Sequence, residues 1–201
     1  MISIKKRILE ISFRHGLCHI GSCLSCVEIL WNIYSQHPND VVILSNGHAG
    51  LALYCMIERF FGIDAEGLLL KHGIHPCYDL ESKIYCSTGS LGCGLPIAIG
   101  YAIAGKPTHC IISDGECAEG SIWESLSFIE EYKIPIQLYV NMNGVAACKE
   151  VNKNILTEKL RLFCPKIQIY QTSNHPLPDT IAAHYIKMNQ EEKNFYEKNI
   201  C

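Results

Sequence analysis

Asp114 and Asn143 each stand just beyond a short apolar run, Ile111-Ile112-Ser113 and Leu138-Tyr139-Val140, and they are 29 residues apart. That is the length of one strand–helix–strand unit. Two parallel strands joined this way sit side by side and present their carboxyl ends together, the edge at which open α/β sheets bind ligands, near a switch in strand order. A carboxylate and a carboxamide offer hard oxygen ligands, which suit Mg²⁺ or Ca²⁺ rather than zinc. Two protein oxygens leave most of an octahedron for water and ligand phosphates. Gly115 lets the backbone approach an anion, and its amide would face that ligand. Gly89 to Gly94 offers a second glycine-rich turn before a helix; it reads GxxGxG rather than GxGxxG, with no acidic ribose ligand at the dinucleotide spacing. Three histidines, His19, His48 and His75, fall at turn-like sites. Taken singly, an Asp-Gly turn is common scaffolding, and each histidine could cap or pack.

The elements that must position these residues read as alternating strands and helices. Helical periodicity runs through Lys5–Arg14 and Leu24–Tyr34. The runs 41–45, 108–113, 136–140 and 166–171 predict buried strands, and helices are expected from about 46 to 61, from Gly94 to Ala104, from Glu116 to before Pro135, over Ile155–Phe163, and over about 180–198. Residues 62–87 read as irregular. The expectation is an α/β domain with a mostly parallel central sheet flanked by helices. The whole of 1–201 is expected to form one domain, with a shortened tail from about 164.

Composition narrows the partners. The 201 residues are 48% hydrophobic and 18% charged, a globular balance, and 17 Lys and Arg against 20 Asp and Glu leave a net charge of −3. With no basic surplus to neutralise phosphates, nucleic acid is not expected as a partner. The longest apolar stretch, Leu91 to Ala104, is too short for a bilayer span and carries three glycines and a proline, so no membrane is expected. The N-terminus leads into Ile8-Leu9-Glu10 rather than an apolar signal core, which predicts a cytoplasmic protein. In that setting the twelve cysteines read as buried, reduced thiols, and Cys23-Leu24-Ser25-Cys26 is a lone CxxC without a second pair to complete a zinc site.

Cys18-His19-Ile20-Gly21-Ser22, Leu44-Ser45-Asn46-Gly47-His48-Ala49, His75-Pro76, Thr88-Gly89-Ser90-Leu91-Gly92-Cys93-Gly94 and Asp114-Gly115 through Asn143 follow one another along the chain, and in that order they resemble the transketolase family, specifically its N-terminal, diphosphate-binding half. Cys18-His19-Ile20-Gly21-Ser22 is similar to that family's Gly-His-x-Gly turn, and Leu44-Ser45-Asn46-Gly47-His48-Ala49 to its Leu-Ser-x-Gly-His-Ala segment. His75-Pro76 matches a His-Pro pair, Thr88-Gly89-Ser90-Leu91-Gly92-Cys93-Gly94 a Thr-Gly-Ser-Leu-Gly-Gln-Gly turn, and Asp114-Gly115 through Asn143 the thiamine-diphosphate motif. The resemblance covers about residues 5–163. Ser113 replaces the glycine usual before the aspartate, and Cys93 a common glutamine.

The resemblance implies a site. Asp114, Asn143 and the carbonyl of Val145 would bind Mg²⁺ (or Ca²⁺). Gly115 and His48 would contact the diphosphate of thiamine diphosphate, and Gly89 and Leu91 would line its aminopyrimidine side. His19 and His75 would face the substrate channel; Glu119 and Glu124 match glutamates at the family's dimer interface. His184-Tyr185 resembles a Trp-His-Tyr segment, which makes His184 a further active-site histidine, with His175 a candidate to substitute for part of its rebuilt surroundings. The implied function is transfer of a two-carbon ketol unit from a ketose donor to an aldehyde acceptor. The family's pyrimidine-binding half has no counterpart before Cys201, so the resemblance implies a partner chain carrying it, in a heterotetramer with two of each chain. Two alternatives keep the same site: a thiamine-diphosphate-dependent decarboxylating acyl transferase or an enzyme that modifies an unusual sugar. A third is a non-catalytic scaffold subunit.

Overall fold

A computed structural model describes residues 1–146 and 150–200. Strands β1 (Val41–Leu44), β2 (Thr108–Ser113), β3 (Ile136–Met142) and β4 (Gln168–Gln171) form one sheet, every neighbouring pair parallel, in the order β1-β2-β3-β4. The predicted α/β class is therefore what the chain adopts. β1 and β2 are buried along their whole length, which is why they read as continuous β-branched runs rather than alternating ones.

Each strand divides its side chains between two cores. Val42, Leu44, Ile111 and Tyr139 face one layer, built from α1 (Ile2–His15), α2 (Ile20–Gln36) and α3 (Gly50–Phe61). Val41, Ile43, Cys110, Ile112, Leu138 and Val140 face the other, built from α5 (Gly94–Ile103), α6 (Gly120–Tyr132) and α7 (Lys153–Phe163). The strand order shows no reversal, contrary to the expectation of a switch point. Helices α1 to α3, placed in the chain before and just after β1, already cover the second face, so the sheet needs no reversal to bury both sides.

Two segments differ from the sequence reading. Helix α4 (Ala65–His72) occupies part of the stretch read as irregular; Asp64 caps it by accepting from Gly67 N–H at 2.6 Å, and Glu58 Oε1 accepts from Ala65 N–H at 3.2 Å. The expected tail helix is broken into a 3₁₀ turn, Ala182–Tyr185, and α8 (Gln190–Asn199), which starts only where Asn189 and Glu192 form a capping box. Among the described residues no helix is long and apolar enough to cross a membrane.

Candidate active site

The register of β2 on β3 pairs Ser113 with Asn141, and Asp114 N–H extends the ladder by donating to the Asn141 carbonyl at 3.1 Å. Asp114 and Asn143 are thereby carried to the same carboxyl edge, as the spacing predicts. Both are buried, at 3% and 6% exposure. Asp114 Oδ2 accepts from Gly144 N–H at 2.6 Å and Oδ1 from Gly115 N–H at 2.9 Å; Asn143 Oδ1 accepts from Val145 N–H at 2.9 Å. Burial raises the Asp114 pKa to about 6, against the lowering effect of these backbone donors and of Lys153. A desolvated carboxylate held by neutral donors is a group whose charged form a cation would stabilise. The donor set is all oxygen, which fits Mg²⁺ or Ca²⁺.

Sequence reasoning passes over the residue that fastens this edge together. Glu116 is fully buried. Its Oε1 accepts from Ser45 Oγ at 2.6 Å and Gly92 N–H at 2.9 Å, and its Oε2 from Ser113 N–H at 2.9 Å. One carboxylate thus ties the ends of β1 and β2 to the glycine-rich turn. Ser113, where the family resemblance leads one to expect glycine, is accommodated: its hydroxyl faces Glu116 and receives the Glu116 N–H at 3.3 Å. The turn itself must come close. A Cβ on Gly47 would lie 2.6 Å from the Thr88 backbone carbon, and Gly89, at φ 149°, passes the His75 ring where a Cβ would meet Cγ at 3.1 Å.

A cavity of about 380 Å³ opens above this edge. Of the predicted site residues, His19, His48, His75, His184, Gly89, Leu91, Asp114, Gly115, Glu119 and Val145 line it, joined by Ser113, Ala118, Ala146 and Tyr185. The His19 ring lies 4.3 Å from that of His184 and 5.2 Å from that of His48, centroid to centroid. His19 caps α2 at a positive φ of 60°, and its N–H donates to the His184 carbonyl at 3.0 Å, so the tail is anchored to the turn that presents His19. Burial, reinforced by the neighbouring histidines, lowers His19 to about 4 and His48 to about 3; burial also lowers His184. These three imidazoles are neutral at neutral pH, able to donate or accept hydrogen bonds but not to act as standing cations.

Two predicted residues lie outside the cavity wall. Asn143 is buried at the same strand edge but does not line the cavity, its Nδ2 donating to Asn174 Oδ1 at 3.2 Å. Glu124 is exposed on α6, beside a groove formed with Pro96, Ile99, Ile103 and Phe128. His175 does not line the cavity; its Nε2 lies 2.8 Å from the Asn199 carbonyl oxygen. Cys23 and Cys26 are free, buried thiols, both raised to about 12 chiefly by burial, which keeps them protonated at neutral pH. Most of the described cysteines are likewise buried, with Cys77 and Cys93 exposed; Cys148 and Cys201 lie outside the described residues.

No family model matches the chain. Curated relatives do. A 6-deoxy-6-sulfo-D-fructose transketolase subunit of Clostridium sp. (strain MSTE9) is 34% identical across 90% of this chain and 75% of its own length. An apulose-4-phosphate transketolase subunit of Phocaeicola vulgatus is 31% identical across 65% of this chain and 54% of its own length. Among solved structures, the transketolase from Leishmania mexicana superposes with a TM-score of 0.74 at 17% identity, over 96% of this chain and 39% of that one. The chain spans only about half the length of the Phocaeicola protein and about a quarter of the longer transketolases it matches.

Proposed function

This chain belongs to the transketolase family, and from that premise we propose that it is the diphosphate-binding subunit of a split transketolase-like enzyme. Working with a pyrimidine-binding partner chain, it transfers a two-carbon ketol unit from a ketose donor to an aldehyde acceptor. The observation that carries the reading is the convergence at one cavity of all the predicted residues except Asn143 and Glu124.

Asp114, Asn143 Oδ1 and the Val145 carbonyl would hold Mg²⁺ (or Ca²⁺); the Gly115 amide and His48 would bind the diphosphate, and Gly89 and Leu91 would line the aminopyrimidine. When bound, thiamine diphosphate supplies the electron sink that lets a carbon–carbon bond beside a ketose carbonyl break and re-form. What the chain's own residues contribute is position and shielding from water. His19, His75 and His184 ring the cavity mouth and would hydrogen-bond the sugar hydroxyls. His19 Nδ1 has no hydrogen-bond partner among the described residues, and a sugar hydroxyl that reached it would be held and oriented there. Leu91, Ala118, Val145 and Ala146 make the remaining wall largely apolar and limit water around the reacting atoms.

The partner would dock over Glu119 and Glu124, where Ile97, Ile103, Phe128 and Tyr132 leave α5 and α6 with an exposed apolar face. A heterotetramer with two of each chain is the proposed assembly. Both split relatives are named for sugars that carry an anionic group, which supports an anionic ketose as the donor.

The test combines the chain with its partner, Mg²⁺ and thiamine diphosphate and follows aldehyde release from ketose phosphates and sulfo-ketoses. Cofactor-dependent release supports the reading. Carbon dioxide from pyruvate without aldehyde release would favour the decarboxylating alternative, and cofactor binding without turnover of any donor the scaffold. Full turnover by the isolated chain would overturn the partner requirement.

A further inference from the structure

A second cluster of ligating side chains lies at the opposite, amino end of the sheet. His37 ends α2, Asp40 directly precedes β1, and His109 is the second residue of β2. Asp40 Oδ2 lies 3.5 Å from His37 Nδ1 and 3.1 Å from His109 Nε2, and all three ligand atoms fall within 4.8 Å of one another. A tetrahedral zinc ion with bonds of about 2.0–2.1 Å places its ligands about 3.4 Å apart. Two of the three edges are already at that spacing. The third closes by rotation of His37, whose side chain is 51% exposed and free to move.

We propose that His37, Asp40 and His109 form a binding site for a transition-metal dication, Zn²⁺ in the first instance, separate from the all-oxygen site at the other end of the sheet. The outer partners a metal site needs are present. His109 is buried, and its Nδ1 lies 3.0 Å from the Tyr139 hydroxyl. Without an ion, Nε2–H can donate to Asp40 Oδ2 at 3.1 Å while Nδ1 accepts from Tyr139; with the Nδ1 proton given to Tyr139 instead, the Nε2 lone pair is directed at the position an ion beside Asp40 would take. The His37 and His109 rings lie 5.1 Å apart, centroid to centroid, at 33°. Two imidazoles and one carboxylate leave a fourth position for water on the solvent side, the composition of an open zinc site. An ion there would clamp the α2–β1 connection to β2 and stabilise the fold without touching the cavity.

The experiment titrates Co²⁺, then Zn²⁺, into the full chain. One equivalent of Co²⁺ is expected to give intense visible bands of a tetrahedral site without the near-ultraviolet band of thiolate ligation, and Zn²⁺ is expected to displace it and raise the melting temperature. His37→Ala, at an exposed position that should not disturb folding, is expected to weaken binding by more than about a hundredfold, beyond the usual effect of losing an outer partner, and Tyr139→Phe by about tenfold. His75→Ala is expected to bind as wild type does. Absence of a tetrahedral spectrum, a thiolate band, or equal binding by wild type and His37→Ala would each overturn the proposal.

Discussion

Asn174 reaches from the tail to the carboxyl edge of β3, where its Oδ1 accepts from Asn143 Nδ2 at 3.2 Å and turns Asn143 Oδ1 toward the Val145 amide. It fits because Gly21 has no side chain: a Cβ there would lie 2.9 Å from Asn174 Cγ. The tail thus orients a proposed metal ligand. Asn174→Ala is expected to lower Mg²⁺ affinity about tenfold to a hundredfold, as loss of an outer-sphere partner does, with little change in melting temperature. Calorimetry with the partner present checks it; unchanged affinity would mean Asn174 only fills space.

Glu116 sets a different expectation. Every donor around its carboxylate is an N–H or an O–H. In Glu116→Gln the new amide N–H groups would confront those donors, and one buried donor left unpaired costs about 1–3 kcal/mol. The melting temperature is expected to fall by about 2–4 °C per kcal/mol for a chain of this size. A variant as stable as wild type would show that the carboxylate does not hold the three loops together.

Gly47 packs against backbone that cannot swing aside, the Thr88 carbon at 2.6 Å and the Gly89 nitrogen at 2.7 Å from an added Cβ. Gly47→Ala is expected to push the glycine-rich turn away from β1, weakening cofactor binding more than Gly100→Ala, where nothing lies within reach of the new methyl. Equal affinities for the two variants, measured side by side, would count against the turn's proposed role.

The histidine cluster makes stability depend on pH. His19 and His48 drop from an ordinary 6.5 in the unfolded chain to about 4 and about 3 in the folded one. Between those values the unfolded chain binds protons that the folded chain does not, so stability rises with pH, is complete above about 6.5 and is lost as pH falls toward 3. Asp114, whose raised carboxyl takes up its proton in the same range, acts in the opposite sense, so the readout is the difference: melting curves from pH 7 to pH 4 are expected to show wild type losing more stability on acidification than His48→Gln. A variant slope equal to wild type would remove His48 from the effect.

Much of this site is legible in the sequence because its chemistry sits at strand ends. Val41–Leu44 and Ile111-Ile112 announce buried strands, and a 29-residue spacing within one strand–helix–strand unit is enough to bring Asp114 and Asn143 to one edge. What stays hidden depends on long-range contact. Glu116 reads as a helix-start acid, yet its partners Ser45 and Gly92 come from other loops. Asn174 reads as loop, because its role requires Asn143 and Gly21, both distant in sequence, to be its neighbours. Helix α4 escapes the sequence reading because Gly67 weakens its propensity, and its first turn is completed by Glu58 of α3.

Everything proposed for the cavity depends on Asp114 as a cation ligand. The most direct test is calorimetric titration of thiamine diphosphate into the chain with its partner, with Mg²⁺ and with a chelator, for wild type and Asp114→Ala. The expected result is saturable binding in wild type that requires the divalent ion and falls by at least about a hundredfold in Asp114→Ala. Binding that survives the chelator, or equal affinity in the two proteins, would contradict it.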